Sequence, residues 1–171
     1  MLTTQLSESE FNPYYKRYID QAATMPLLQG LAAGLMNTHD FFEGIPDDKL
    51  HFRYEEGKWT PKEILLHIID TERVFSYRAL QFARAENVVI RGFDQDEFAN
   101  NSAANHRSLE SLLEEFMSVR TATVLLFKSF SDQKLQQIGI ASDSPMSVRA
   151  AGFVICGHEK HHMAVIKERY L

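Results

Sequence analysis

Apolar residues recur with helical spacing in four stretches of the chain, and turn-forming residues separate these stretches. A repeat of three to four residues indicates amphipathic helices that each bury one face. The first helix is predicted from Leu27 to Phe42, with Pro26 in its first turn and Gly44 beyond its end. Before it, residues 11–23 are rich in aromatic side chains and are predicted to form a short extra helix or an ordered arm.

The second helix has the clearest start in the sequence. Thr60 can be its N-cap, Pro61 its first helical residue and Glu63 the return partner of a capping box. An apolar run with helical spacing follows directly, and it carries the predicted helix to about Ala85.

A long connection, residues 87–105, separates the second helix from the third, which is predicted over residues 107–130. Such a crossover allows two successive helices of a bundle to run parallel. Residues 131–144 are predicted to be loop with one short helical turn at most, and the fourth helix is expected from near Pro145 to Arg169 with Asp143 or Ser144 as its cap.

No strand pattern competes with these helices, because Val88, Val89 and Ile90 form a run too short to build a sheet. The chain of 171 residues is long enough for one domain with its own core. The prediction is therefore an all-α four-helix bundle that occupies residues 1–171 as a single domain.

Composition narrows the class of protein. The net charge is −5 and basic residues form no cluster, which argues against a nucleic acid partner. Cys156 is the only cysteine, so no internal disulfide can form and a reducing compartment is expected. Residues 1–8 lack the features of a signal peptide, and no apolar run is long enough to span a membrane. These observations predict a cytoplasmic protein without a membrane partner.

Six polar residues lie on or beside the stripes that helical geometry turns inward. They are His67 and Arg78 on the second helix, Arg120 on the third, and His158, Glu159 and His162 on the fourth. Buried charge is costly unless charges neutralise one another or face a wet cavity. Snorkelling arginines and satisfied core histidines would explain any one of these residues, but the set of six favours a functional site.

Two histidine pairs on the fourth helix have the spacing of a chelate. His158 and His162 are four residues apart, and His158 and His161 are three apart, so spacing alone does not choose between them. The apolar stripe favours His162, because His161 turns away from it. A catalytic metal site needs a third ligand from elsewhere, and His67 is the candidate on another helix.

Several segments resemble signature segments of the DinB/YfiT-like superfamily. Residues 59–73 (WTPKEILLHIIDTER) and 77–80 (YRAL) are similar to its second helix, and residues 92–99 (GFDQDEFA) to its crossover loop. Residues 157–162 (GHEKHH) and 168–170 (ERY) resemble its last helix. The motifs occur in the order that the family has.

The resemblance implies a four-helix bundle in up-down-down-up order and frequent homodimers. It also implies a divalent metal ion held by three histidines, at the positions that match His67, His158 and His162. The activities of the family differ. Some relatives are thiol S-transferases or isomerases that use low-molecular-weight thiols such as bacillithiol or mycothiol, others are described only provisionally as metal-dependent hydrolases, and many have no known reaction.

Three functions are compatible with such a site. The first hypothesis is a metal-dependent thiol S-transferase acting on small electrophiles, with zinc or nickel as the ion and a low-molecular-weight thiol as cosubstrate. The second is a metal-dependent hydrolase that uses water as its nucleophile. The third is a non-enzymatic, stress-related protein that binds a ligand or a metal. A small molecule is the expected substrate of either enzyme.

Five residues around the ligands have candidate supporting roles. Arg78 or Arg120 could hold carboxylates of the thiol, or could be neutralised by Glu72 or Glu159. Asp70 and Glu72 are candidates for carboxylates that support the ligands from behind. No catalytic residue is assigned.

Two residues near the ligands are given structural roles. Cys156 is interpreted as a buried, inert thiol rather than one that points at the site. Trp59 is interpreted as a helix-start staple rather than a platform for substrate.

Overall fold

The computed structural model describes residues 6–22 and 25–171. Two short ranges lie outside the described residues. They are residues 1–5, which belong to the segment predicted to lack a signal peptide, and residues 23–24, where the predicted arm ends. The helices are α1 (Lys16–Gln21), α2 (Leu27–Glu43), α3 (Pro61–Arg84), α4 (Gln95–Asn101), α5 (Leu109–Lys128), α6 (Asp132–Leu135) and α7 (Val148–Arg169). The strands are β1 (Val89–Ile90), β2 (Ile138–Ala141) and β3 (Ser144–Ser147).

Helix α3 begins with the predicted capping box. The Glu63 amide donates to Thr60 Oγ1 at 3.2 Å, and the Thr60 amide donates to Glu63 Oε2 at 2.7 Å. Pro61 occupies the first helical position, and Ala85 caps the other end. Both of these backbone amides lack a partner within the helix and find one in the capping box instead. Four consecutive residues therefore fix the start of the helix that carries His67.

Helices α2, α3, α5 and α7 form the predicted four-helix bundle. A side chain at Gly152, early in α7, would meet Leu27 at the start of α2 and Phe127 at the end of α5, so α2 and α7 run parallel and α5 runs opposite to them. At the other end, the Tyr170 hydroxyl donates to the carbonyl of Trp59, just before α3.

Helices α3 and α5 run parallel to each other. Arg73 pairs with Glu115, and further along both helices Ser76 hydrogen-bonds with Thr123. The up-down-down-up order is therefore confirmed, with the long connection between α3 and α5 serving as the crossover.

A small sheet lies beside the bundle, and the prediction that the chain has none was wrong. Strand β1 pairs in parallel with β2, which pairs in antiparallel fashion with β3. Two residues, Ser142 and Asp143, join β2 to β3 with positive φ angles of 51° and 59°. The two residues of β1 are too few to show alternation, and their partner strand β2 lies far along the sequence. Strands β2 and β3 are adjacent, but the apolar residues Ile138 and Ile140 of β2 are the exposed ones, so the usual alternation does not mark this hairpin.

The fourth bundle helix begins later than predicted. Pro145 lies in β3, and α7 starts at Val148 with Ser147 as its N-cap, whose hydroxyl accepts from the amide of Ala150. Proline is compatible both with a helix start and with an edge strand, so the missed strand displaced the predicted start. The short helical turn expected within residues 131–144 is α6.

The N-terminal arm packs along α7. Gly157 permits this contact, because a Cβ atom at that position would lie 1.7 Å from the carbonyl oxygen of Tyr18 in α1. An ion pair between Glu10 and Arg149 also joins the arm to α7. The predicted short helix in the aromatic segment is thus confirmed as α1. In the described residues, no helix combines the length and the apolar character that a membrane span requires.

Candidate metal centre

Three histidines from two helices direct their Nε2 atoms towards one another. His67 lies in the second turn of α3, and His158 and His162 lie one turn apart on α7. The Nε2 atom of His158 is 3.0 Å from that of His67 and 3.0 Å from that of His162. The structure therefore brings together the three predicted ligands, and His161 is not part of the group.

Burial keeps these rings uncharged. His67 and His158 are buried and His162 is half-buried. Burial lowers the pKa of His67 to about 4. Burial, and after it the neighbouring histidine rings, hold the pKa of His158 and of His162 well below 6.5. Neutral imidazole at pH 7 is the form that binds a metal ion.

The cluster fits a divalent cation better than it fits a hydrogen-bond network. A neutral ring nitrogen carries either one proton or one lone pair, so the Nε2 atom of His158 can make only one of its two 3.0 Å contacts as a good hydrogen bond. Nitrogens that bind one ion at about 2.1 Å lie about 3.0 to 3.4 Å apart. Among the described residues, no fourth histidine, cysteine or carboxylate joins the group, so a bound ion would keep open positions.

Two aromatic rings cover the cluster. The ring centroid of Trp59 lies 4.6 Å from that of His67 and 6.5 Å from that of His162. The ring of Tyr18 meets His158 edge-on at 5.2 Å. Trp59, which directly precedes the N-cap of α3, therefore forms part of the wall of the site, a position that the interpretation as a helix-start staple did not predict.

Arg120 is the centre of a buried ionic network behind the ligands. Its Nη2 atom donates to Glu72 Oε2 at 2.8 Å and to Glu159 Oε2 at 2.7 Å, and its Nε atom donates to Glu72 Oε1 at 2.9 Å. The hydroxyl of Thr38 donates to Glu159 Oε2 at 2.9 Å. Gly34 leaves room for this network, since a Cβ there would lie 2.2 Å from both Arg120 Nη1 and Glu159 Oε1.

Arg78 is equally buried but has a different environment. Its Nη2 atom donates to Ser142 Oγ at 3.0 Å, while its Nε and Nη1 atoms have no hydrogen-bond partner among the described residues. The structure therefore separates two arginines that the sequence left equivalent. The carboxylates neutralise Arg120, whereas Arg78 forms no ion pair in the described chain and has its guanidinium carbon 4.8 Å from the ring centroid of Phe75.

Two other sequence candidates, Asp70 and Glu72, have arginines as their partners. Asp70 is half-buried, burial raises its pKa, and Arg73 Nη1 approaches it at 3.5 Å. No hydrogen bond joins Asp70 or Glu72 to the three histidines in the described chain.

Cys156 is fully buried, and burial raises its pKa to about 12, as the interpretation of an inert thiol requires.

Several residues beside the cluster carried no functional prediction. A cavity of about 210 Å³ adjoins His158, and its wall includes Tyr14, Tyr15 and Tyr18 from the arm and Ser142 from the hairpin. The aromatic run in residues 11–23 was the only sequence signal for the arm. Nothing in the sequence marked Ser142, because its place depends on the unpredicted sheet.

The chain is similar to known proteins from several bacteria. A protein from Oceanobacillus iheyensis is 26% identical over 123 residues, which cover 71% of this chain and 70% of that protein. A protein from Geobacillus thermodenitrificans is 27% identical over 129 residues, which cover 72% of this chain and 70% of that protein. Both carry the provisional name of metal-dependent hydrolase.

A solved structure has the same fold. YfiT from Bacillus subtilis, described as "a probable metal-dependent hydrolase with an unusual four-helix bundle topology", matches with a TM-score of 0.72 at 19% sequence identity. The match covers 96% of this chain and 90% of that one. The sequence model of the DinB superfamily matches residues 31–166, a range that includes all three histidines. The chain therefore belongs to the DinB superfamily.

Proposed function

We propose that this protein is a metal-dependent enzyme that transfers a thiol to a small electrophile, with a divalent ion held by His67, His158 and His162. The observation that carries the proposal is the convergence of three neutral imidazole nitrogens that lack a fourth protein ligand in the described chain. Zinc and nickel both suit imidazole ligands. A bound ion supplies Lewis acidity, which lowers the pKa of water or of a thiol beside it.

The surrounding residues hold the ligands in place and restrict solvent. Glu159 lies between His158 and His162 on α7, and its ion pair with Arg120 holds that turn against α5. Arg120 also pairs with Glu72, which connects the same group to α3. The rings of Trp59 and Tyr18 cover two sides of the cluster. A rigid and partly dry site strengthens electrostatic effects on a reacting group.

The composition of the cavity beside His158 favours a thiol over water as nucleophile. Its wall contains tyrosine, threonine, arginine, serine and glutamine, and the described residues contribute no carboxylate to it. Attack by water usually requires a general base that accepts its proton. A thiol has an ordinary pKa of about 8.5, so a modest lowering is enough to produce the thiolate.

Hydrolysis is the second candidate, and one specific observation favours it beyond the names of the relatives. A separate cavity of about 440 Å³ adjoins His162, and Asp96 lines it together with His161. A carboxylate in that position could accept a proton from water. A fourth protein ligand would favour a non-enzymatic role, and the described residues offer only three, which counts against it.

Metal analysis tests the ligand set. The protein is purified without a histidine tag, and metal per chain is measured by mass spectrometry for the wild type, His162→Ala and His161→Ala. We expect about one equivalent in the wild type and in His161→Ala, whose ring lies outside the cluster, and a loss of metal in His162→Ala. Full occupancy in His162→Ala would refute the assignment.

Turnover assays separate the two reactions. The metal-loaded protein is mixed with 1-chloro-2,4-dinitrobenzene and a panel of low-molecular-weight thiols, and separately with p-nitrophenyl acetate without thiol. Thiol-dependent conjugation that is lost in His162→Ala supports the transferase. Ester hydrolysis without thiol, lost in the same variant, supports the hydrolase instead. The homodimer, the small-molecule substrate and the cytoplasmic location stay predictions that follow from the family and the composition.

A further inference from the structure

Arg78 is a buried cation whose hydrogen-bonding capacity is only partly used. Its side chain is 1% exposed, and its one hydrogen bond in the described chain runs from Nη2 to Ser142 Oγ. Its Nε and Nη1 atoms have no partner there. Arg120, at the same depth, has two carboxylates. The guanidinium carbon of Arg78 also lies 4.8 Å from the ring centroid of Phe75, a contact that offsets only part of the cost of burying the charge. Two of its nitrogens still lack a hydrogen-bond acceptor, and this contrast with Arg120 points to a ligand that binds Arg78.

The cavity next to Arg78 provides room for such a ligand. Arg78 and His158 both line this space of about 210 Å³. Thr71 lines it as well, and its buried hydroxyl lacks a hydrogen-bond partner among the described residues. The other wall residues are mostly aromatic: Tyr14, Tyr15, Tyr18, Phe75 and Phe93. The cavity is thus lined by one buried arginine, one buried threonine and a largely aromatic surface.

We propose that this cavity binds a small organic acid whose carboxylate is held by Arg78. A carboxylate offers two oxygens to the planar guanidinium, and the Thr71 hydroxyl can donate to the same group. Aromatic walls suit an apolar body, whereas an inorganic phosphate would leave them empty. The ligand is small, since drug-sized molecules occupy pockets of roughly 300 to 1,000 Å³.

The geometry of α3 relates this acid site to the metal ligands. His67, Thr71, Phe75 and Arg78 follow at intervals of four, four and three residues and therefore share one face of the helix. The eleven residues from His67 to Arg78 span about 16 Å along the axis. Arg78 and His158 line the same cavity, so a small acid whose carboxylate is held by Arg78 can direct its other end towards His158. The inference depends on the proposed function in one respect, because it takes this acid to be the substrate or the thiol of the metal site.

The hairpin turn supports the same assignment. Ser142 and Asp143 both have positive φ angles, 51° and 59°, although neither is glycine. Two-residue turns of this kind favour Asn-Gly, and unfavourable backbone angles are found preferentially at binding sites. The turn holds the hydroxyl of Ser142 3.0 Å from Arg78 Nη2, where it can orient the guanidinium.

Isothermal titration calorimetry with benzoate, acetate and orthophosphate tests the proposal. The wild type, Arg78→Met, Arg78→Lys and Arg84→Met are compared after treatment with EDTA, so that a carboxylate cannot bind through metal. Arg84 is the matched control, since it is an exposed arginine in the last turn of the same helix. We expect benzoate to bind most tightly. Arg78→Met should weaken it about tenfold or more, Arg78→Lys should weaken it less, and Arg84→Met should not change it.

Thermal unfolding supplies a second, independent readout. Replacing a buried cation that lacks a counter-charge removes a desolvation cost, so Arg78→Met should unfold at the same temperature as the wild type or higher. Equal benzoate affinity in Arg78→Met and wild type, tighter binding of orthophosphate than of benzoate, or no benzoate binding by the wild type overturns the proposal. So does a lower unfolding temperature for Arg78→Met than for Arg84→Met, because the guanidinium would then be satisfied within the free protein.

Failure here can be distinguished from failure of the proposed function. Arg78→Met should retain the metal content of the wild type, and His162→Ala, which should lose the metal, should still bind benzoate. Benzoate binding that disappears in His162→Ala but persists in Arg78→Met would assign the carboxylate to the metal centre and overturn the role of Arg78. Loss of the metal site alone would leave the acid site intact.

Discussion

Replacing Gly157 with alanine tests the contact between the N-terminal arm and α7. The added Cβ would lie 1.7 Å from the carbonyl oxygen of Tyr18 and 2.4 Å from its carbonyl carbon. Real Cβ contacts are essentially never closer than 3.0 Å, so the two backbones must separate by at least 1.3 Å, which is 3.0 minus 1.7. A side-chain rotation cannot relieve this conflict, because the opposing atoms belong to the main chain.

The expected loss of stability combines two opposing effects. Overpacking costs about 1 to 3 kcal/mol, and we take the upper value because main chain must move. Alanine in a helix interior regains about 1 kcal/mol relative to glycine. The net loss of about 2 kcal/mol should lower the midpoint of thermal unfolding by roughly 4 to 8 °C in a domain of this size.

Gly30→Ala is the matched control for this change. Gly30 also lies inside a bundle helix, and the nearest atom to its added Cβ would be the sulfur of Cys156 at 3.3 Å. The sulfur must move by a few tenths of an ångström, so we expect the control to lie within about 1 kcal/mol of the wild type. Circular dichroism melts of both variants measure the difference. If Gly157→Ala unfolds at or above the temperature of Gly30→Ala, α1 does not pack on α7 as described.

Three further changes test other parts of the fold. Thr60→Ala removes the side-chain cap of α3 and should cost about 1 kcal/mol in urea unfolding without loss of metal. Arg120→Met leaves two carboxylates buried without their cation and should cost about 3 to 5 kcal/mol, unlike Arg78→Met. Burial raises the pKa of Glu10, but hydrogen bonds from Arg149 and the Ser7 backbone outweigh it and hold the pKa below 4.5. The wild type should therefore be more stable than Glu10→Gln above pH 4.5, and this difference in stability should shrink as the pH falls below 4.5. Thermal melts of both proteins at pH 7 and pH 3 measure the difference.

The sequence predicted the parts of the fold that local signals determine. The capping box at Thr60 and Glu63 lies within four residues, and the helical stripes extend over single segments, so both can be recognised without tertiary information. The pairing of β1 with β2 could not be recognised in this way. Val89 pairs with Ile140, and the position of one gives no indication of the other.

The same limit applied to the candidate site. Helical stripes placed Arg78 and Arg120 in the interior, but they could not say which one is neutralised, because the carboxylates of Arg120 lie 48 and 39 residues away. The stripe also put His162 within the apolar face and His158 at its margin, whereas the structure buries His158 more deeply. The reason is the arm, since Tyr18 covers the His158 side of α7.

The two proposed sites draw on different parts of the chain, and this difference limits what family membership implies. The metal ligands come from α3 and α7, inside residues 31–166, where the DinB superfamily is recognised. The cavity wall also uses Tyr14, Tyr15 and Tyr18, which precede that range. A relative could therefore share all three histidines and still present a different wall to its substrate. The identity of the small molecule should accordingly be sought in the arm and the hairpin of this chain, and the chemistry in the three histidines that lie within the range matched by the family.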